Sequence, residues 1–373
     1  MGKIKNLFSA VFIKRTHLFL SMLICVAVLS SLLICISCKQ EPKTYKIGAI
    51  YHLTGPASSM GEVFKRGAEL AISDLNCEKI QFALVIEDGK SDPNVSISAL
   101  RKLQQQNVKV VHTFMSSVSM ALVPIADNEK IVIFADAAHP QITANKKYVF
   151  RHSNTADQEA NVLWNYIVAK LNVTRIAVLY VNDDYGLAFV KHLDSIANYN
   201  KPKISIIQSL TFASNQTDFT DIAVKINKAK PEVVIIAGYG KALGLVINRL
   251  RIYKYKGDIL TSIGFVATQD AITSAGKYAK GVYFNDLDLR KDDSIFVKVK
   301  QQYSQKYGSE MPTSAMLAYN SIRFIAKAIE SVGYDTDKIA SYIKNLGEYY
   351  LPGENVVITK QGDIQPLLAV RRY

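Results

Sequence analysis

The residues that could do chemistry in this chain fall into patterns that stop short of a catalytic set. Gly238-Tyr239-Gly240-Lys241-Ala242-Leu243-Gly244 follows the apolar run Glu232–Ala237, as a phosphate-cradling glycine loop follows a strand. The spacing is G-x-G-x-x-x-G, a weak form of the dinucleotide signature. That signature also needs an acid at the end of the next strand, about 20 residues on, to hold a ribose. Here the next strand ends at Thr261-Ser262, and Asp258 precedes it. His52, His112, His139, His152 and His192 lack the H-x-x-x-H spacing that puts two imidazoles on one helix face for a metal. A nucleophile elbow G-x-S-x-G and a phosphate-binding P-loop are both missing from the sequence. The expectation is a protein that is not an enzyme and uses no cofactor or metal.

The elements that would carry these residues alternate. Strand candidates are Ile47–Tyr51, Ile80–Ile86, Val108–Thr113, Ile131–Ala135, Arg175–Val181, Lys203–Leu210, Glu232–Ala237 and Asp258–Ser262. Helical patterns lie between them, at Asn94–Gln106, Ser119–Asn128, Asp157–Leu171, Tyr185–Asn198, Thr217–Ala229 and Lys241–Tyr253. Several strands are almost continuous Val and Ile, as strands covered on both faces should be. Regular β-α-β-α order implies parallel sheets flanked by helices. In such sheets ligands bind outside the strand carboxyl ends. The alternation weakens at Val149–Thr155 and Gly281–Asp288; helices at Asp292–Tyr307, Thr313–Gly333 and Thr336–Leu346 and two short strands, Asn355–Thr359 and Gln365–Arg371, close the chain. The breaks suggest two lobes with the chain crossing between them.

The N-terminal segment has the layout of an export signal. Lys3, Lys5, Lys14 and Arg15 precede an apolar run from Leu18 to Ile36, which ends in Cys35-Ile36-Ser37-Cys38 and then polar residues. A small residue directly before Cys38 resembles a bacterial lipobox, whose cysteine is lipidated. Cys35 stands where a lipobox usually carries Leu. The other reading is an uncleaved anchor, since about 19 apolar residues can span a bilayer. We expect a lipoprotein-type signal over residues 1–37, a tether over 38–44, and a chain exported and held at the cell-envelope membrane. Loss of Cys25 and Cys35 with the signal and lipidation of Cys38 would leave Cys77 alone, so no internal disulfide would form. Residues 1–37 carry four of the formal +13 charges, leaving +9. Those charges are scattered, with no interleaved aromatic motif, so a basic surface beside a membrane is expected and not nucleic-acid binding.

Motifs distributed from Tyr45 to the C-terminus resemble the type I periplasmic solute-binding proteins of the branched-chain amino-acid receptor group. They are Thr54-Gly55-Pro56 with Gly61 and Gly67-Ala68, Asp88 with Asp92-Pro93, Ser116-Ser117, the stretch Val132–Pro140, Asp184-Tyr185-Gly186 and Ala237-Gly238-Tyr239. The resemblance implies two Rossmann-like α/β lobes joined by a three-strand hinge. Lobe 1 would comprise residues 45–153 plus 286–352, and lobe 2 residues 154–285 plus 353–373. Crossings would fall near Arg151–Ala156, Asn285–Leu289 and Leu351–Glu354.

Carried over residue by residue, the resemblance places Ser116 and Ser117 on a ligand carboxylate. It places Asp136, Ala137 and Ala138 in a first-lobe loop, Tyr185 and Tyr239 in the closing second lobe, and Met60 and Phe265 on an apolar wall. Three positions depart from the amino-acid pattern. Ala138 replaces a threonine, Gly264 stands where a glutamate pairs with the ligand ammonium, and Met60 replaces an aromatic. An acid at Asp136 would favour an amine or cation; its alternative role is capping local backbone. The implied function is capture of an amino acid or related small polar organic ligand in the interlobe cleft for an ABC importer, with a membrane permease as partner and a monomer as the expected state. The alternative is a sensor component that uses the same clamp.

Overall fold

A computed structural model describes residues 22–23, 43–76, 80–199 and 203–373. Apart from Met22 and Leu23, the signal lies outside the described residues, as do the tether through residue 42, Cys38 and Cys77. The chain divides into residues 1–43 and a compact unit, Thr44–Tyr373; only Met22 and Leu23, both helical, are described well inside the former.

The compact unit contains two six-stranded sheets. The first is built from β1 (Thr44–Tyr51), β2 (Gln81–Asp88), β3 (Val110–Phe114), β4 (Val132–Asp136), β5 (Val149–His152) and β13 (Asp363–Ile364). Its order is β13-β5-β4-β3-β1-β2, all parallel. The second is built from β6 (Arg175–Val181), β7 (Ser205–Phe212), β8 (Val233–Ala237), β9 (Asp258–Thr261), β10 (Tyr283–Leu287) and β14 (Leu368–Arg372). Its order is β14-β10-β9-β8-β6-β7, parallel except for the β10–β14 pair. A hairpin of β11 (Glu348–Leu351) and β12 (Glu354–Val357) stands apart.

Helices cover both faces. They are α1 (Ser58–Leu75), α2 (Pro93–Gln105), α3 (Ser116–Glu129), α4 (Ala156–Lys170), α5 (Asp184–Tyr199), α6 (Thr220–Ala229), α7 (Gly240–Ile252), α8 (Gly264–Ala267), α9 (Gln269–Ala275), α10 (Ser294–Tyr307), α11 (Thr313–Val332) and α12 (Thr336–Asn345). Central strands β3, β4 and β8 are buried along their whole length, which is why the sequence reads there as unbroken apolar runs. Two core clusters flank each sheet. Gly67 serves a contact between helices. It faces α11, where an added Cβ would lie 2.1 Å from the Ala315 carbonyl oxygen.

Strand order reverses between β1 and β3 in the first sheet and between β6 and β8 in the second. A crevice opens at such switch points, because the loops that follow the two strands turn to opposite faces. The chain passes from the first sheet to the second between His152 and Ala156 and leaves the second after Leu287. The third crossing differs from expectation. Val356, Ile358 and Ile364 belong to the first lobe's core and β13 lies in the first sheet, so residues 353–364 are part of lobe 1. The crossing is the stretch 365–367, tied to the first crossing by Asn154 Nδ2 to Pro366 O at 2.5 Å and Gln158 Nε2 to Gln365 Oε1 at 2.8 Å. A two-residue strand has no periodicity to read, which is why the sequence misplaced it.

Candidate functional site

The carboxyl ends of β1, β3 and β4 face those of β6 and β8 across a cleft with a cavity of about 110 Å³. First-lobe lining includes Met60, Phe64, Phe114, Met115, Ser116, Asp136, Ala137 and Ala138; Ser314 and Leu317 come from α11. The second lobe presents Glu159, Asp183, Tyr185, Gly238, Tyr239 and Ile263. Of the residues marked out by sequence, Met60, Ser116, Asp136, Ala137, Ala138, Tyr185 and Tyr239 are brought together. Ser117 is not in the lining. Phe265 is corrected outright. It is fully buried in the second lobe's core, 5.4 Å from the Phe284 ring and 5.7 Å from that of Tyr373.

The first-lobe wall offers donors. Helices α1, α3 and α11 begin beside the cleft at Ala57, Met115 and Pro312, with no side-chain cap on their first N–H groups. Helices α2, α10 and α12, which start away from the cleft, are capped by Asp92, Asp293 and Asp335; α4, whose first turn reaches the cleft, is capped by Thr155. Uncapped N-termini leave N–H groups and a positive partial charge directed outward. Met115 carries a φ of +75°, a conformation costing a non-glycine residue about 1–3 kcal/mol and concentrated at functional sites. Ser116 Oγ accepts from the His139 N–H at 3.1 Å, so its own hydrogen remains to be donated. His139 itself is spent on local structure. Its Nδ1 accepts from the Gln141 N–H and its carbonyl from Arg151.

Arg151 fixes the loop after β4, and its role was not read from the sequence. Its guanidinium, 1% exposed, donates to the carbonyls of Ala137, His139 and Pro140, to Thr143 Oγ1, and to Asp363 Oδ1 at 2.8 Å. Strand β13 thus positions Ala137 and Ala138 through this buried ion pair.

Asp136 does not present a charge to the cleft. The residue is 7% exposed but its side chain is 0% exposed, so only backbone borders the cavity. The carboxyl accepts from His112 Nε2 at 2.9 Å and Ser321 Oγ at 3.0 Å. His112 Nδ1 bonds Tyr51 Oη at 2.6 Å; Ser321 leads on to His152 Nδ1, and His152 Nε2 to Glu354 Oε1 at 2.9 Å. Burial opposes charge on His152, but the adjoining Glu354 carboxylate outweighs it and raises the imidazole pKa. The expectation that Asp136 selects a cation fails because its oxygens are directed into this chain of buried groups.

The acid in the cleft is Glu159, on the first turn of α4. It is 1% exposed. Its Oε2 accepts from Tyr185 Oη at 3.0 Å and from the Ile263 N–H at 3.2 Å; among the described residues no cation pairs with it. Burial pushes the carboxyl up to about 7, against the pull of those two donors. Asp183 stands beside it. Its Oδ1 accepts from the Gly186 N–H at 3.0 Å and its Oδ2 from Tyr239 Oη at 2.7 Å, and burial raises its pKa despite them. The sequence did carry a signal for Glu159. It shares a helix face with Ala156, Ala160, Leu163, Trp164 and Ile167, all buried, and an acid in an apolar stripe asks for a partner.

Gly264, where the resemblance placed a glutamate, admits no side chain. A Cβ there would lie 1.9 Å from the Gly238 carbonyl oxygen.

The profile of the periplasmic binding protein family matches residues 44–370. An amino acid binding protein of Pseudomonas aeruginosa is 27% identical over 342 residues, 88% of each chain. Leu/Ile/Val-binding protein homolog 1 of Brucella abortus is 25% identical, covering 85% of this chain and 86% of its own length. Among solved structures, the substrate binding protein LivJ of Streptococcus pneumoniae in complex with isoleucine superposes with a TM-score of 0.81 at 20% identity, over 89% of this chain and all of that one. A solute binding protein of Rhodopseudomonas palustris in complex with benzoate superposes at 0.80 with 16% identity, over 88% and 93%. With two doubly wound lobes, a cleft at both switch points and a family match over most of its length, this chain belongs to the periplasmic binding proteins, as a type I, non-enzymatic solute-binding protein of the branched-chain amino-acid group.

Proposed function

We propose that this protein captures a small zwitterionic amino acid for an ABC importer, docking the loaded form on a membrane permease. The observation that carries the ligand class is Glu159, a buried carboxyl at the cavity wall that no cation pairs with among the described residues. The ligand's ammonium would supply that cation. Its carboxylate would face the first-lobe wall, where Ser116 and the uncapped start of α3 offer donors. Met60, Phe64, Phe114 and Leu317 would enclose an apolar side chain. The cavity, about 110 Å³, is somewhat below the roughly 150 Å³ that admits benzene, which favours a small ligand. Lobe closure about the three crossings would bury it.

We further propose a lipid anchor on Cys38, tested by incorporation of labelled fatty acid that Cys38→Ala should abolish. Among the described residues no helix is long and apolar enough to cross a membrane.

The decisive experiment is a thermal-shift screen of the common L-amino acids, benzoate and short alkylamines, since ligands of the folded state raise its melting temperature. Amino acids with small apolar side chains should give the largest shifts. A response to benzoate with none to any amino acid overturns the ligand class.

A further inference from the structure

Four acids are buried among the described residues: Asp136, Glu159, Glu354 and Asp363. Three have a basic side chain within 2.9 Å. Glu159 has two neutral donors, both on Oε2, and among the described residues Oε1 has no partner, which leaves it for the cavity. An isolated carboxyl in such a place is stable when protonated, and an arriving cation reverses that preference.

We propose that capture of the ligand ammonium is coupled to release of one proton from Glu159, which makes the cleft a proton-exchanging trap. This rests on the amino-acid reading above. The step balances: the neutral carboxyl and the incoming ammonium become a carboxylate–ammonium pair, and the proton leaves to water. No covalent bond other than the carboxyl O–H is broken.

Burial favours the neutral carboxyl of Glu159 in the empty cleft, against two hydrogen-bond donors in its shell. On its own helix is Asp157. From α5 come Tyr185, whose hydroxyl donates to it, and Asp184, with Asp183 just before that helix. From the loop before α7 comes Tyr239, bonded to Asp183. The loop before α8 gives only the Ile263 N–H, and β10 gives Asn285, which donates to the Glu159 carbonyl, with Asp286 next in line. Across the cleft Asp136 is bonded to His112 and Ser321. Elements packed against α4 also carry cations: α5 has Lys191, and β14 has Arg371, which is taken up by Asp286 and Asp288, and Arg372, which lies over the Tyr283 ring. No basic side chain pairs with Glu159 among the described residues, and burial outweighs the Tyr185 and Ile263 donors and lifts the carboxyl to about 7. Below that pH the ligand must displace a proton; above it the carboxylate is already formed.

The test is calorimetric titration of the full protein from about pH 5.5 to about pH 8.5, in pairs of buffers with different protonation enthalpies. The probes are the L-amino acid with the largest thermal shift and the same skeleton without its amine, for example valine against isovalerate. Affinity for the amino acid should fall about tenfold per pH unit below about 7 and level off above. About one proton should be released per ligand at the acid end and none at the alkaline end. Glu159→Gln should bind weakly, with no pH dependence and no proton release. Amino-acid binding that is flat in pH, without proton release by the native protein, overturns the coupling and leaves the ligand class standing. Proton release that persists in Glu159→Gln also overturns it. Failure of every amino acid to bind overturns the ligand class and the coupling together. The proton count is read on the native protein and does not depend on the variant folding.

Discussion

Acids buried in the first lobe differ from the one buried in the second lobe's cleft wall. Asp363 meets Arg151, Asp136 meets His112, and Glu354 meets His152. Each pair joins separate elements: β13 to β5, β4 to β3, and β12 to β5. They are internal fastenings, with the charge answered inside the fold. Glu159 has the same burial but is answered only by Tyr185 and a backbone N–H. Burying a lone carboxyl is expensive. Among the described residues Glu159 is the one buried acid without a basic partner, the opening that the proposed ligand ammonium would fill.

The contrast can be broken from either side. The largest effect is expected at the Arg151 pair. Arg151→Met leaves Asp363 buried without its cation and releases the loop after β4, so stability should fall by about 3–5 kcal/mol. Denaturant unfolding at neutral pH measures it. A loss under about 1 kcal/mol would mean that the pair is not a fastening.

Glu159→Gln should do the opposite to the empty protein. The folded-state pKa, near 7, lies above the unfolded value of about 4.3. Between those two values the folded chain holds a proton that the unfolded chain lacks, so native stability falls as pH rises across that window and is flat beyond it. Gln carries no such cost. The variant should match the native protein near pH 4 and exceed it by on the order of 3–4 kcal/mol near pH 8. Equal pH profiles would place Glu159 among the fastened acids.

The smallest effect sharpens the assignment of Asp136. Asp136→Asn keeps one acceptor for His112 and Ser321, so stability should drop by about 1–2 kcal/mol. Amino-acid affinity should stay within about a factor of two. A tenfold loss of affinity would return the cation-selecting role to Asp136.

Much of the scaffold was readable because doubly covered strands announce themselves as Val and Ile runs, and β6 came out with the bounds expected for it, Arg175–Val181. Short elements were not. β13 has two residues, β11 alternates weakly as Glu-Tyr-Tyr-Leu, and α8 and α9 are too brief for a helical stripe. In the cleft, loops at strand ends were legible through the resemblance, which is why Ser116, Tyr185 and Tyr239, all on the cavity lining, were singled out. Phe265 was misassigned because adjacency to a cleft loop does not say which way a ring points. Asp136 was misread because the groups that absorb it, His112 on β3 and Ser321 on α11, are distant in sequence. Glu159 was passed over because a single acid in a helix looks like surface until its neighbours' burial is known.

Gly264 has a consequence for how this cleft can change over generations. With a Cβ at that position only 1.9 Å from the Gly238 oxygen, every other residue type is refused unless the Gly238-Tyr239 turn moves as well. A lineage holding this backbone cannot restore an acid at position 264 by a single codon change. Position 159 has no such bar, so a shift in cargo has its open path there: the one site is a ratchet, the other a dial.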